Sequence, residues 1–123
     1  MEGELTLTQR VLIRAAKLIS IKENWIQGYA FGTKNGDPYG SYCSLGALYR
    51  AAYEELGVPM QIGGKNRVVE RAYINSLRML RQRRGKEGIA AFNDAPSTTY
   101  DDVKNLFCKA VRAALDTGDY EKT

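Results

Sequence analysis

Residues 41–57 read SYCSLGALYRAAYEELG and carry the clearest helix signal in the chain. Over about Tyr42–Leu56, apolar residues recur at spacings of three and four, which places them on one face of a helix. Ser41 is a suitable N-cap, and Gly57 stands where helix C-termini favour glycine. Gly46 lies in the first turns, where a small residue lets another backbone approach closely. The stretch therefore predicts an amphipathic helix with a tight packing contact near its start.

Three further segments show the same helical periodicity on either side of this stretch. Their ends carry cap signals: Thr6 or Thr8 before the first, and Thr99 with Asp102 as a capping box before the last. The third segment has Asn66 as its cap and Gly85 as its stop. The predicted helices span about Thr6–Ile21, Arg67–Arg84 and Tyr100–Leu115.

Two short stretches, Trp25–Phe31 and Ile89–Phe92, lack helical periodicity and could pair as a small two-stranded ribbon, which is stable only if it packs on the helices. The sequence Asn35-Gly36 between them is a strong tight-turn signal. The fold class predicted is mainly α, a bundle of about four helices with at most a small two-stranded β element. We expect one domain over residues 1–123, with residues 1–5 and 117–123 frayed at its ends.

Composition excludes several classes of enzyme. The chain has 123 residues, of which 44% are hydrophobic and none is histidine. A Ser-His-Asp or Cys-His mechanism and a His-ligated zinc site therefore cannot be built within the chain. Two cysteines, Cys43 and Cys108, are too few for a disulfide scaffold or a four-thiolate zinc site. We expect no metal and no cofactor, and we favour a non-enzymatic function.

Targeting signals are also lacking in the sequence. No apolar run approaches the ~20 residues that a membrane span needs. The first residues, Met1-Glu2-Gly3-Glu4, are acidic and do not have the basic-then-apolar order of a signal peptide. We therefore expect a cytoplasmic protein with free thiols and no membrane partner.

Several short motifs resemble those of a known family. They are Trp25 with Gln27-Gly28, CSLGAL at residues 43–48, and FNDAP at residues 92–96 followed by Thr99 and Val103. Over about residues 10–115 the chain is similar to an uncharacterised family of small bacteriophage and actinobacterial proteins, labelled as a domain of unknown function. The resemblance implies a host-cell cytoplasmic location for a phage-encoded protein, and it supplies no catalytic residues. The positions that it emphasises are Trp25, Cys43, Gly46, Asn93, Asp94 and Thr99.

Four of these positions form the first candidate site: Trp25, Cys43, Asn93 and Asp94. They fall in loops and helix starts, where ligand contacts are often placed. The leading hypothesis is a small non-enzymatic binding protein, a phage or mobile-element accessory, that contacts a ligand or partner protein through this patch. Structural alternatives stay open, because Cys43 can be a small buried residue and Asn93-Asp94 can close a turn before Pro96. A hydrolase that depends on Cys43 or on a carboxylate is the least favoured alternative.

The second candidate site is a basic segment. Residues 65–86 contain eight of the 18 lysines and arginines and one acidic residue, although the net charge of the whole chain is only +4. At spacings of three and four, four arginines and Asn75 form one ridge of a helix, which suits the phosphates of a nucleic acid or another polyanion. A solvated helix face that pairs with neighbouring acidic residues is the alternative. The polyanion-binding residues predicted are Arg67, Arg71, Arg78, Arg81 and Arg84.

Overall fold

A computed structural model describes residues 4–61, 66–84 and 88–117. Two strands, β1 (Phe31–Lys34) and β2 (Asp37–Tyr42), form a small antiparallel sheet. The mainly α prediction is confirmed. The helices are α1 (Leu7–Ile19), a 3₁₀ turn (Lys22–Asn24), α2 (Ser44–Leu56), α3 (Arg67–Arg84), α4 (Ile89–Asp94) and α5 (Tyr100–Thr117).

Helix α2 lies between α1 and α3 and also contacts α4 and β2. Its inner residues Ala47, Leu48 and Ala51 are completely buried, and the small alanines let the neighbouring helices come close. Helix α5 closes the bundle against α1 and α3 with Val103 and Phe107. The core is therefore built from the apolar faces of the four long helices, as their periodicity predicts.

Two predicted caps are confirmed by reciprocal hydrogen bonds. At the start of α1, the backbone N–H of Gln9 donates to Thr6 Oγ1 at 3.1 Å, and the Thr6 N–H donates to Gln9 Oε1 at 2.7 Å. At the start of α5, Asp102 N–H donates to Thr99 Oγ1 and Thr99 N–H donates to Asp102 Oδ2. Each pair satisfies backbone donors that the first turn leaves without helical partners.

The predicted start of α2 is wrong by two residues. Ser41 and Tyr42 belong to β2, so the helix begins at Ser44 with Cys43 as its N-cap. The hairpin extends the backbone up to Tyr42, and this leaves no room for a helical turn there. The other end agrees with the prediction, because Gly57 has a left-handed backbone (φ 69°).

The predicted ribbon between Trp25–Phe31 and Ile89–Phe92 is wrong. Strand β1 instead pairs with β2 across the Asn35-Gly36 turn, in which both residues have positive φ angles. This conformation suits a two-residue hairpin turn, so the nearer partner strand is favoured. Residues Ile89–Asp94 form a short helix that contacts α2 and α3. The predicted frayed ends lie largely outside the described residues, as does the predicted stop at Gly85.

Gly46 makes the tight contact that its small size suggests. It lies in the first turn of α2, and a Cβ atom built there would overlap the carbonyl oxygen of Ala30. That oxygen also accepts a hydrogen bond of 3.1 Å from the backbone N–H of Cys43. The residues before β1 are therefore held directly against the start of α2.

We expect Gly46→Ala to lower the free energy of unfolding by about 1–3 kcal/mol, because backbone must move to admit the methyl group. Urea denaturation followed by circular dichroism measures the change. The control is Gln82→Ala on the exposed surface of α3, where we expect a change below about 0.5 kcal/mol. Equal effects of the two substitutions would contradict the close contact.

Candidate functional site

The amide side chain of Asn93 is the centre of the first candidate site. Asn93 lies in the last turn of α4 and is completely buried. Its Oδ1 accepts three hydrogen bonds, from Trp25 Nε1 at 2.7 Å, from the Ser44 N–H at 2.9 Å and from Ser44 Oγ at 2.7 Å. Its Nδ2 donates to the carbonyl oxygen of Ile26 at 3.1 Å and to Asp94 Oδ1 at 2.9 Å. Both polar atoms of this amide are therefore fully engaged within the chain.

Asp94 and Gln27 extend this network toward the surface. The exposed carboxylate of Asp94 accepts a 2.9 Å hydrogen bond from the Gly28 N–H. Gln27 Nε2 donates to the carbonyl oxygens of Asn93, at 2.8 Å, and of Ala95, at 3.1 Å. Gly28 has a φ of 89°, in the left-handed region that favours glycine. The segment after Trp25 is thus tied to the end of α4 by side chains from both sides.

Cys43 lies at the edge of this network, next to Ser44. Its Sγ accepts from the Gly46 N–H at 3.5 Å, which makes the thiol the N-cap of α2. Burial raises the pKa of the Cys43 thiol, and the hydrogen bond from Gly46 opposes that shift. A thiol that stays protonated is a poor nucleophile. The geometry therefore favours a packing and capping role over a reactive one.

The structure brings three of the four predicted patch residues into one network and places the fourth beside it. Trp25 is half-buried, Cys43 and Asn93 are buried, and only Asp94 is exposed. The predicted turn between Asn93 and Pro96 is wrong in its geometry, because the Asn93 side chain reaches residues 49 to 68 positions away in sequence. Whether the patch also contacts a ligand remains a prediction.

Ser44 and Gln27 belong to the network, although neither is among the predicted site residues. Both lie within the motifs of the family resemblance, Gln27 beside Gly28 and Ser44 in CSLGAL. The backbone N–H groups at the start of a helix need acceptors from outside the helix. The sequence alone does not identify the side chain that supplies this acceptor.

The second candidate site lies on the outward face of α3. Arg67, Arg71 and Arg78 line a shallow groove of about 340 Å³, together with Glu70, Ile74 and Asn75. All three arginines are exposed, as is Arg81 one turn further along the helix. The ridge that the spacing predicts is therefore present at the surface.

Arg84 is separated from the rest of the predicted basic set. It is half-buried, and its guanidinium carbon lies 4.3 Å from the ring centroid of Phe92 in α4. This is the geometry of a cation–π contact. Arg84 thus joins α3 to α4 and is turned away from the outward face.

Three carboxylates on α2 and β2 are paired with arginines outside α3. Both oxygens of Glu55 accept hydrogen bonds from α1, one from Arg10 and one from Arg14. Arg50 binds both Glu54 and Asp37, at 2.9 and 3.1 Å.

Glu70 is the acidic residue of α3 itself and lines the same groove as Arg67 and Arg71. Within the described ranges, no ion pair joins Glu70 or another carboxylate to Arg67, Arg71 or Arg81. Among these residues, the alternative in which the basic face pairs with neighbouring carboxylates is therefore not observed.

In the described part of the chain, no three cysteine, aspartate or glutamate side chains converge as a metal site. None of the helices in these ranges combines the length and apolar character needed to cross a bilayer.

Residues 4–113 match the model of a family of unknown function (DUF6197). No curated protein and no solved structure matches the chain. The match covers the four long helices almost completely and includes both candidate sites.

We expect Asn93→Ala to lower the free energy of unfolding by about 3–4 kcal/mol, because buried donors at Trp25 and Ser44 lose their acceptor. Chemical denaturation measures the change. Asn105→Ala on the exposed side of α5 is the control and should change stability by less than about 0.5 kcal/mol. A loss at Asn93 below about 1 kcal/mol would show that the network contributes little to folding.

We expect iodoacetamide at neutral pH to modify the exposed Cys108 at least about tenfold faster than Cys43, since burial and the raised pKa both suppress the Cys43 thiolate. Mass spectrometry of the two tryptic peptides gives both rates in one sample. In urea, where both thiols are exposed, the rates should become similar. Preferential modification of Cys43 in the native protein would restore the thiol-dependent hydrolase as a candidate.

Proposed function

We propose that this chain, which belongs to the family of unknown function DUF6197, binds nucleic acid through the outward arginine face of α3. The single observation that carries the proposal is that Arg67, Arg71 and Arg81 are exposed and form no ion pair within the described residues. Exposed guanidinium groups without carboxylate partners are suited to phosphate, which they bind in bidentate geometry.

The arrangement of the arginines supports an extended ligand over a small one. Arg67 and Arg81 are 14 residues apart, which corresponds to about 21 Å along a helix. A duplex carries one phosphate per about 3.4 Å of axis on each strand, so the ridge lies alongside several phosphates at once. Ile74, which is 47% exposed, lies between the arginines and adds apolar contact area.

Charge elsewhere on the chain favours one binding orientation. Residues outside 65–86 contain ten of the 18 basic residues and 13 of the 14 acidic ones. The residues outside 65–86 are therefore weakly acidic, whereas the segment that contains α3 is strongly basic. This charge difference directs an approaching polyanion toward α3. We place this activity in the cytoplasm, where nucleic acid is accessible and the two thiols stay reduced.

The patch around Trp25 and Asn93 is less suited to be the binding surface. Its buried amide and indole groups are hydrogen-bonded to one another, at 2.7 Å from Trp25 Nε1 to Asn93 Oδ1. A ligand would have to replace these hydrogen bonds in order to use the same atoms. This network supports a positioning role instead.

We expect a fluorescein-labelled DNA duplex of about 20 base pairs to bind the full chain, with affinity falling roughly a hundredfold between 50 and 200 mM salt if four phosphates are neutralised. Fluorescence anisotropy measures both affinities. Arg67→Glu with Arg71→Glu should reduce the affinity at low salt by at least about tenfold.

The matched control is Lys22→Glu with Lys104→Glu, which changes the net charge equally at two exposed positions away from α3. It should have a much smaller effect. Equal losses in the two double variants would mean that net charge alone attracts DNA. No binding to duplex or single-stranded nucleic acid at 50 mM salt, or binding only to phosphatidylserine vesicles, would rule out the proposal.

A further inference from the structure

A second groove, formed by residues other than those of the α3 groove, runs along the outer face of α1. It has a volume of about 380 Å³ and is bordered by the end of α2 and by the 3₁₀ turn. Its apolar lining comes from Leu5, Ile13, Leu18 and Ile21. Ile21 is 52% exposed, and the other three are half-buried. Leu18 also packs against the core, whereas Leu5, Ile13 and Ile21 do not belong to the core or to the side chains packed on it. The packing of the core therefore does not explain the apolar character of these three residues.

Three cations border the same apolar surface. Arg10, Arg14 and Lys17 line the groove, and Glu55 is its only lining carboxylate. Glu55 accepts hydrogen bonds from Arg10 Nε at 3.1 Å and from Arg14 Nε at 2.5 Å, and Arg14 Nη1 also donates to Glu54 Oε1 at 3.3 Å. The hydrogen bond to Glu55 is the main cause that raises the pKa of Arg14. Lys17 is exposed and forms no ion pair among the described residues. The positive charge that these two carboxylates leave unpaired is therefore that of Lys17, beside two guanidinium groups held in fixed positions.

The shape of the groove favours an elongated occupant. Its lining residues begin at Leu5, before α1, and end at Ile21, beyond it, so the groove extends along the whole helix, whose 13 residues span about 20 Å. A small molecule is usually enclosed over most of its surface, whereas an amphipathic helix lies along an open groove and inserts side chains at spacings of three and four. Cations and apolar residues alternate along α1 at these same spacings.

We propose that the α1 groove, lined by Leu5, Arg10, Ile13, Arg14, Lys17 and Ile21, binds an acidic amphipathic helix of a partner protein. Apolar side chains of that helix lie on Ile13 and Ile21, and its carboxylates meet Lys17 and the outer N–H groups of the two arginines. Complementary charge selects this partner over a basic or neutral helix. The site is separate from the arginine face of α3 and does not depend on nucleic-acid binding.

A phage-displayed library of random peptides, each about 16 residues long and so able to form a helix that spans the ~20 Å of α1, tests the proposal against the full immobilised chain. We expect enriched peptides with Leu or Ile at helical spacing and Asp or Glu beside them. The consensus peptide should bind in anisotropy measurements, with Lys17→Glu weakening it about tenfold and Ile13→Asp weakening it further. Because Lys17 is exposed, the first variant keeps the test valid if Ile13→Asp impairs folding.

Controls distinguish this site from general charge attraction. Lys104→Glu and Ile74→Asp make the same chemical changes at an exposed cation and an exposed apolar residue elsewhere, and should leave peptide affinity within about twofold, which is under 0.5 kcal/mol. The proposal is overturned if enriched peptides lack acidic amphipathic character, if Lys17→Glu has no effect, or if Arg67→Glu with Arg71→Glu weakens the peptide equally. Displacement of the peptide by dodecanoate would assign the groove to a free amphipathic carboxylate. A dimer of the chain that Ile13→Asp dissociates would assign it to a second copy.

Discussion

One buried amide determines how the non-helical part of this chain is attached to its helices. Asn93 is completely buried and makes five hydrogen bonds through its side chain, to the segment after the 3₁₀ turn, to the start of α2 and to its own helix. A buried amide that lacks partners is costly, whereas a fully bonded one selects a single arrangement. The position of Trp25, the start of α2 and the end of α4 therefore depend on one another.

The hydrogen bonds of Asn93 and the close backbone contact with Ala30 explain the small residues at the start of α2. Ser44 contributes both its backbone and its hydroxyl group to Asn93, and Gly46 leaves space for the Ala30 carbonyl. Cys43 caps the helix through its thiol, and its backbone N–H binds that same carbonyl. A larger residue at any of these positions would separate the start of α2 from the segment before β1 and from the end of α4. The motif CSLG thus describes a packing requirement, and it gives no support to a nucleophile.

Sequence predicts the regular parts of this fold because their signals are local. Four helices and the caps at Thr6 and Thr99 follow from spacings of three and four residues, and the hairpin turn follows from Asn35-Gly36. Helix α4 is missed because six residues contain too few turns to show periodicity. The partners of Asn93 are missed for a different reason. They lie 49 to 68 residues away, and no local pattern identifies them.

The arginines of this molecule fall into two groups. Their ion pairs with carboxylates distinguish the two groups, whereas the number of arginines in the sequence does not. Arg10, Arg14 and Arg50 fix helix ends and the hairpin through carboxylates on α2 and β2. Those carboxylates are then unavailable to α3, whose Arg67, Arg71 and Arg81 remain solvated. Among the described residues, Arg67 and Arg71 have no ion pair that would explain their charge through folding. Arg81 lies in the last turn of α3, where the negative end of the helix dipole favours a cation. Like charges along one ridge repel one another, and it is on this concentration of charge that the proposed nucleic-acid binding rests.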